Sequence, residues 1–383
     1  MTATGIAVVG AGPVGLAAAL LLANTGYEVA LVAPVGPPQD RRTSALLAGS
    51  VALLERLGVW PEIAAEAAPL RTMRIVDGTS RLIRAPEVAF DAEEIGLPAF
   101  GYNVANTALV AALERAVAAR GLGRVDALAV QVTTGPDDIT ITLSNGDRLN
   151  AKLAAAADGR RSKVRDGAGI AIDEWRYDQA ALVCNVRHTQ PHHDTSTEFH
   201  TEHGPFTLVP LVGNRSSLVW VDRPRESERR LALADADIAA EIETRSHAIL
   251  GGIDMDGPRQ VFPLSGMTVR DFAAHRVMLV GEAAHMFPPI GAQGLNLGYR
   301  DVIALGETLA GPVADPGDAA HLAAYSSARR VDVWSRTAAV DALNRTLLSD
   351  FLPVQALRGL GLFLVDRIPA LRRFAMRQGI AAA

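Results

Sequence analysis

The chain has a single cysteine, Cys184, in 383 residues. That excludes an internal disulfide and any metal or iron–sulfur site built from several cysteines, and a reducing cytoplasm is the simple reading. Lysine is nearly as scarce: only Lys152 and Lys163 occur, the other basic residues are arginine, and the formal net charge is -5. There is thus no broad basic field for nucleic acid. No Lys or Arg precedes Arg41, so the apolar stretch Gly5 to Ala23 lacks the positive start of a secretory signal, and Gly10-Ala11-Gly12-Pro13 interrupts it. No apolar run is long enough for a transmembrane helix, and there is no repeat or low-complexity tract. With 49% apolar and 21% charged residues the composition is globular, and the length suggests two or three domains.

Ile6-Ala7-Val8-Val9 reads as a fully buried strand, followed by Gly10-Ala11-Gly12-Pro13-Val14-Gly15, a G-x-G-x-x-G. Leu16 to Asn24 is strongly helical, Gly26 stops it, and Val29-Ala30-Leu31-Val32 reads as a second buried strand. The motif therefore sits in a β-α-β unit, where it predicts a dinucleotide site. Gly10 permits the tight turn, Gly12 lets backbone approach a pyrophosphate, and Gly15 lets helix and strand pack. The helix N-terminus offers free N–H groups and a partial positive charge, and Pro13 and Val14 of the motif count with the glycines as cofactor-binding residues. The acid that should end the second strand and hold a ribose is missing: Ala33-Pro34 stands there, and Glu28 comes too early. A standard NAD site is correspondingly less expected.

A second bare-backbone stretch lies far along the chain. Gly281 to Asp301, GEAAHMFPPIGAQGLNLGYRD, holds four glycines, two adjacent prolines, one histidine and hardly any nucleophile, directly after the apolar Val277-Met278-Leu279-Val280. Two further stretches stand out. Arg41-Arg42-Thr43-Ser44-Ala45 precedes a helix expected over 50–57, and Asp158-Gly159-Arg160-Arg161-Ser162-Lys163-Val164-Arg165 follows an alanine-rich run.

In order and spacing these motifs resemble the class A flavoprotein monooxygenases of the para-hydroxybenzoate hydroxylase fold, nearest to the hydroxylases of ubiquinone biosynthesis. The resemblance runs nearly end to end. It implies an α/β architecture: a Rossmann-like FAD-binding domain (residues 1–70, 99–178 and 265–342), an inserted, mostly antiparallel β-sheet substrate domain (71–98 and 179–264) and a C-terminal helical region (343–383). It further implies that Gly281-Glu282 ends a strand beside the ribityl chain of FAD. The family usually has Gly-Asp there, and glutamate is one methylene longer. Pro288, Gly291 and Gly294 would line the flavin ring, with Pro289, Leu295 and Asn296 also at the cofactor, and the helix starting near Gly294 would aim its positive end at the reduced flavin. Arg42 would reach the pyrophosphate or adenosine region and Asn106 the phosphate or ribityl side, with a solvated arginine and a helix N-cap as the plain alternatives. Asp158-Gly159 would serve FAD and NAD(P)H, or simply form a capped turn. The implied reaction is hydroxylation of a lipophilic aromatic, a prenylated phenol or quinol precursor, through a flavin C4a-hydroperoxide, with NAD(P)H as a transient reductant. No catalytic side chain is identified.

Elsewhere, Arg71 to Val76 and Arg81 to Pro86 flank Asp77-Gly78-Thr79 as a hairpin, and strands are expected over 180–187, 206–212 and 217–221. His192-His193-Asp194 reads as a polar loop rather than a metal site, because adjacent side chains of an extended chain point apart. His285 is assigned a structural role. Residues 343–383 carry Arg345, Arg358, Arg367, Arg372, Arg373 and Arg377 against Asp350 and Asp366, six minus two giving +4. Either this region is a basic amphipathic surface for a membrane or a biosynthetic complex, or it packs on its own domain.

Overall fold

The apolar run at the start becomes the strand Thr2–Val9, flanked by two parallel neighbours, Val29–Val32 and Arg148–Ala156. The computed structural model describes residues 2–36, 40, 42–79, 86–288, 293–348 and 367–380. Beyond Arg148–Ala156 the sheet continues to Val277–Leu279 and Ala273–Ala274, and beyond Val29–Val32 to Gly123–Val125. Its parallel centre is buried on both faces, which is why these strands are almost purely apolar.

The helix Pro13–Asn24 is buried along its length, from Gly15 to Ala23. It lies between the sheet and two further helices, Asn106–Ala119 and Gln293–Thr308. Glycine decides how closely these pack. A Cβ at Gly298 would stand 2.6 Å from Val14 Cγ2, and one at Gly306 would stand 2.6 Å from Leu21 Cδ2. Without side chains at these positions, the helix Gln293–Thr308 lies directly against Pro13–Asn24.

A second, nine-stranded sheet runs in the order His285–Met286, Gln260–Val269, Ile172–His188, Arg215–Asp222, Gly204–Leu211, Thr195–Thr201, Thr72–Asp77, Val88–Asp91, with Ile253–Met255 beside Ile172–His188. All its pairs are antiparallel except Thr72–Asp77 with Thr195–Thr201. One face packs Leu182, Phe206, Leu218 and Trp220 against Ile238 and Ile242 of the helix Asp235–Arg245. The other face, carrying Ala181, Val183, Val219 and Val221, turns toward the first sheet. There Asn103 Nδ2 donates to Pro210 O at 2.9 Å and to Ser217 Oγ at 3.3 Å. A small sheet of Thr43–Leu47, Gly101–Ala105 and Ala68–Leu70 stands at this junction.

Several sequence expectations shift. The first helix begins at Pro13 rather than Leu16, so half of the glycine motif lies inside it. The strand expected from Ala180 runs from Ile172 to His188, and its pairing with Gln260–Val269 slips between Arg176 and Ala180. Domain boundaries at 178/179 and 264/265 therefore cut through two strands, Ile172–His188 and Gln260–Val269, that belong to the nine-stranded sheet. Among the described residues the antiparallel partner of Thr72–Asp77 is Val88–Asp91. Residues 81–85 of the expected hairpin lie outside the described residues, as does 349–366 of the C-terminal region.

Candidate active site

Three motifs from distant parts of the sequence meet at the turn after Thr2–Val9. Gly10 has φ +109°, and a Cβ there would lie 2.2 Å from Ala157 O and 2.9 Å from Asp158 N. The Asp158-Gly159 segment is thus pressed against the nucleotide motif. Gly15 is equally tight, since its Cβ would stand 2.0 Å from Gly10 O. Gly281 has φ +62°, and a Cβ there would stand 3.3 Å from Val14 Cγ1. Arg165, 4% exposed, donates to Arg160 O at 3.1 Å and to Ala283 O at 3.2 Å, which joins the Asp158 segment to the Gly281 segment.

Gly12 and Gly294 are the opposite case. Both are exposed, and neither would meet any atom within 4 Å if given a Cβ. They stand at the starts of two helices packed side by side, and they face open space. The helix Pro13–Asn24 has no side-chain cap and no acid in its first turn, so its first N–H groups remain available to an anion. Gln293–Thr308 likewise begins without an acid.

The remaining candidates have definite partners. Asp158 Oδ2 accepts from Lys163 N at 2.7 Å and Val164 N at 3.2 Å, so the capping role is real. Its Oδ1 is buried without a partner, and burial holds its carboxyl above the ordinary value. Arg42 forms a bidentate pair with Asp40, both bonds at 2.8 Å, and lies over the Phe262 ring at 5.2 Å, beside the strand Gln260–Val269 of the second sheet. The bond to Asp40 raises the Arg42 pKa despite burial, and the nearby Glu282 adds to the rise. Asn106 does not cap its helix, since Ala105 occupies that position. Its amide bridges Asp40 at 2.8 Å and Ser44 at 2.6 Å. Asn296 is buried and bonded to Ala45 O, Leu47 N and Ser50 Oγ, so its side chain ties the helix Gln293–Thr308 to residues 45–50. Glu282 is exposed and Pro288 buried; Pro289 and Gly291 lie outside the described residues. His192 Nε2 meets Leu211 O at 2.9 Å and its Nδ1 accepts from Asp194 N at 3.0 Å, which builds a polar turn. Cys184 is buried, and its thiol is pushed up to about 12, far from nucleophilic.

Sequence reasoning passed over Asp301. This carboxylate, 0% exposed, accepts from Gly281 N at 2.8 Å, from His285 Nε2 at 2.6 Å and from Arg329 Nε at 2.6 Å. Arg329 in turn meets Asp332 at 2.8 Å, which also binds Arg300 and Arg336. Burial would push Asp301 up, but His285 and Arg329 hold it below the ordinary carboxylate range. One acid thus fixes the backbone at Gly281, where the cofactor segment begins. The available signal was a histidine and a second acid, besides Glu282, in a stretch rich in glycine, proline and apolar residues.

Comparisons with known proteins follow this geometry. Residues 3–340 match the family described as FAD binding domain. Ubiquinone hydroxylase UbiL of Rhodospirillum rubrum is 36% identical over 98% of this chain and 89% of its own length. The 3-demethoxyubiquinol 3-hydroxylase of Escherichia coli is 32% identical over 98% of each chain. In structure, the p-nitrophenol 4-monooxygenase PnpA of Pseudomonas putida superposes with a TM-score of 0.81 at 21% identity, over 99% of this chain and 98% of that one.

Replacing Asp301 by Asn removes the buried charge that faces His285 and Arg329, leaves Arg329 with Asp332 alone, and should cost about 3 kcal/mol. Because the folded carboxyl is held below its ordinary value, its contribution is complete above the unfolded pKa of about 4 and fades as pH falls through the folded value. Urea unfolding of wild type and Asp301→Asn should differ at pH 7 and converge in acid. Equal midpoints at pH 7 contradict the assignment.

Proposed function

The chain belongs to the FAD binding domain family, and from that premise we propose that it is an FAD- and NAD(P)H-dependent monooxygenase. Its substrate is an aromatic ring of a prenylated phenol or quinone precursor in ubiquinone biosynthesis. The observation that supports this is the pair of helix starts, Gly12 and Gly294, on helices packed side by side, each with open space where a side chain would stand. The relatives named as ubiquinone hydroxylases support the substrate class across nearly the whole chain.

The residues present fit FAD. Gly10, Gly12 and Gly15 with Pro13 and Val14 form a backbone cradle for the pyrophosphate, and the uncapped start of Pro13–Asn24 supplies the positive end. Arg42, paired with Asp40, which also accepts from Asn106, adds a charge at the rim. Asp158, with one carboxylate oxygen lacking a partner, and Glu282, exposed beside Gly281, are acceptors for cofactor hydroxyls. Gly294 and Leu295, in the first turn of Gln293–Thr308, bring a helix N-terminus to the ring, where it favours the anionic reduced form. Pro289 and Gly291 belong to the same segment. FAD, when bound and reduced by NAD(P)H, supplies the oxygen chemistry. What the protein adds is position and dryness. The sheet face bearing Ala181, Val183, Val219 and Leu264 gives an apolar wall, and strand pairing sets Phe262 opposite Ala181. That wall suits a lipophilic ring and limits water, which would divert the reaction to peroxide. NAD(P)H docks transiently in this reading.

A membrane surface is the source of such a substrate. Among the described residues no helix is long and apolar enough to cross a membrane. The helix Pro369–Ile380 docks by one side: Met376 is buried with Phe100 and Ala92, and Arg372 pairs with Glu94 at 2.6 Å. Its other side exposes Leu371, Phe374, Arg373 and Arg377. Leucine and phenylalanine three apart with arginines alongside suit an anionic lipid surface.

Two experiments test these readings. The FAD-reconstituted protein should oxidise NAD(P)H with O2, faster with the quinol precursor, giving a product one oxygen heavier. Peroxide alone, or a product that gains only hydrogens, contradicts the function. In vesicle sedimentation with anionic lipid, Leu371→Asp/Phe374→Asp should weaken binding about tenfold or more. Unchanged sedimentation removes the membrane contact.

A further inference from the structure

The strand that should end in a ribose-binding acid ends in Ala33 and Pro34. In a dinucleotide fold the ligand crosses the carboxyl ends of the parallel strands, with the pyrophosphate at the first turn and the adenosine ribose over the second strand. Here Val29–Val32 pairs on its outer side with Gly123–Val125, in the register Ala30–Gly123, Leu31–Arg124, Val32–Val125. The ladder runs one step further, because Ala33 N donates to Val125 O at 3.1 Å. The next residue of the outer strand is Asp126, so a carboxylate stands beside the position where the acid is missing.

Its surroundings hold that carboxylate at the spot. Asp126 Oδ1 accepts from Val35 N at 2.8 Å, two residues past Ala33. Arg124 donates to Pro34 O at 2.8 Å, weakly to Ala33 O at 3.4 Å, and pairs with Glu114 at 2.5 Å. The turn after the second strand is therefore pinned by its neighbour through 124 and 126. Asp126 is exposed, and one oxygen is enough for Val35, which leaves the other for a ligand hydroxyl. The competing acids are spent or misplaced. Asp40 serves Arg42 and Asn106, Glu114 serves Arg124, and Glu28 lies at the far end of the strand.

We propose that Asp126, from the adjacent strand, takes the role of the missing acid and binds the ribose hydroxyls of the adenosine half of FAD. This rests on the FAD reading above. It moves a binding group laterally by one strand while keeping it at the carboxyl edge of the sheet.

The test is binding, not turnover. Apoprotein is titrated with FAD and with the analogue lacking the adenosine 2′-hydroxyl, following flavin fluorescence, for wild type, Asp126→Asn and Asp126→Ala. Wild type should prefer FAD over the analogue by about tenfold, the size of a hydrogen bond to a charged group. Asp126→Ala should lose most of that preference by weakening FAD alone, and Asp126→Asn, which keeps an acceptor without the charge, should fall between. If Asp126→Ala binds FAD like wild type, or weakens both ligands equally, the carboxylate does not act on the ribose and the inference is overturned. A wild-type chain that binds neither ligand overturns the FAD reading with it. A wild type that binds FAD but hydroxylates nothing leaves this inference standing.

Discussion

A methyl group at Gly10, Gly15 or Gly298 would occupy space already filled by backbone or by Val14. That close approach is the constraint on which the molecule depends. It sets the Gly281 segment against the first helix, the Asp158 segment against the first turn, and the helix Gln293–Thr308 against Pro13–Asn24. Large side chains could bury more surface, but they would hold the segments several ångströms apart and bury the main-chain groups needed at the cofactor. Alanine and valine around the glycines keep the interface apolar without thickening it.

A closely packed backbone needs something to fix its direction, and buried charge does this. Asp301 gathers donors from the residue that starts the cofactor segment, from a histidine on a two-residue strand and from an arginine on the helix Ala319–Leu348. Tyr325, one turn earlier on that helix, donates to Leu279 O at 2.7 Å, and Ser326 accepts from Phe272 N at 3.1 Å. The helix thus hooks the strand and the loop after it from beneath. His285–Met286 also pairs with Gln260–Val269, so the same short segment joins the Gly281 turn to the second sheet.

Much of this was legible in the sequence because it is local. A strand, a glycine turn and a helix follow one another within residues 6–32, and the Gly/Pro stretch announces bare backbone by composition alone. What was not legible depends on register and on distance. Asp301 lies 16 residues from His285 and 28 from Arg329, and no local pattern brings a helix at 319–348 beneath Gly281. Asp126 follows a short strand whose neighbour is set by the parallel ladder, and only that ladder places it beside Ala33. The strand Ile172–His188 was read from its apolar half; its exposed first half, Ile172 to Arg176, is ordered by pairing with Gln260–Val269 rather than by its own composition. Asn106 resembled a cap because asparagine at a helix start usually is one. Here the helix begins one residue earlier than that role requires, and the amide is used by Asp40 and Ser44 instead.

A structure determined with FAD bound measures the central claim directly. The account predicts one FAD molecule whose pyrophosphate meets main-chain N–H groups at Gly12 and Val14 and whose flavin ring meets the backbone near Gly294. An FAD that touches only one of these two helix starts, with the other facing solvent, would contradict it.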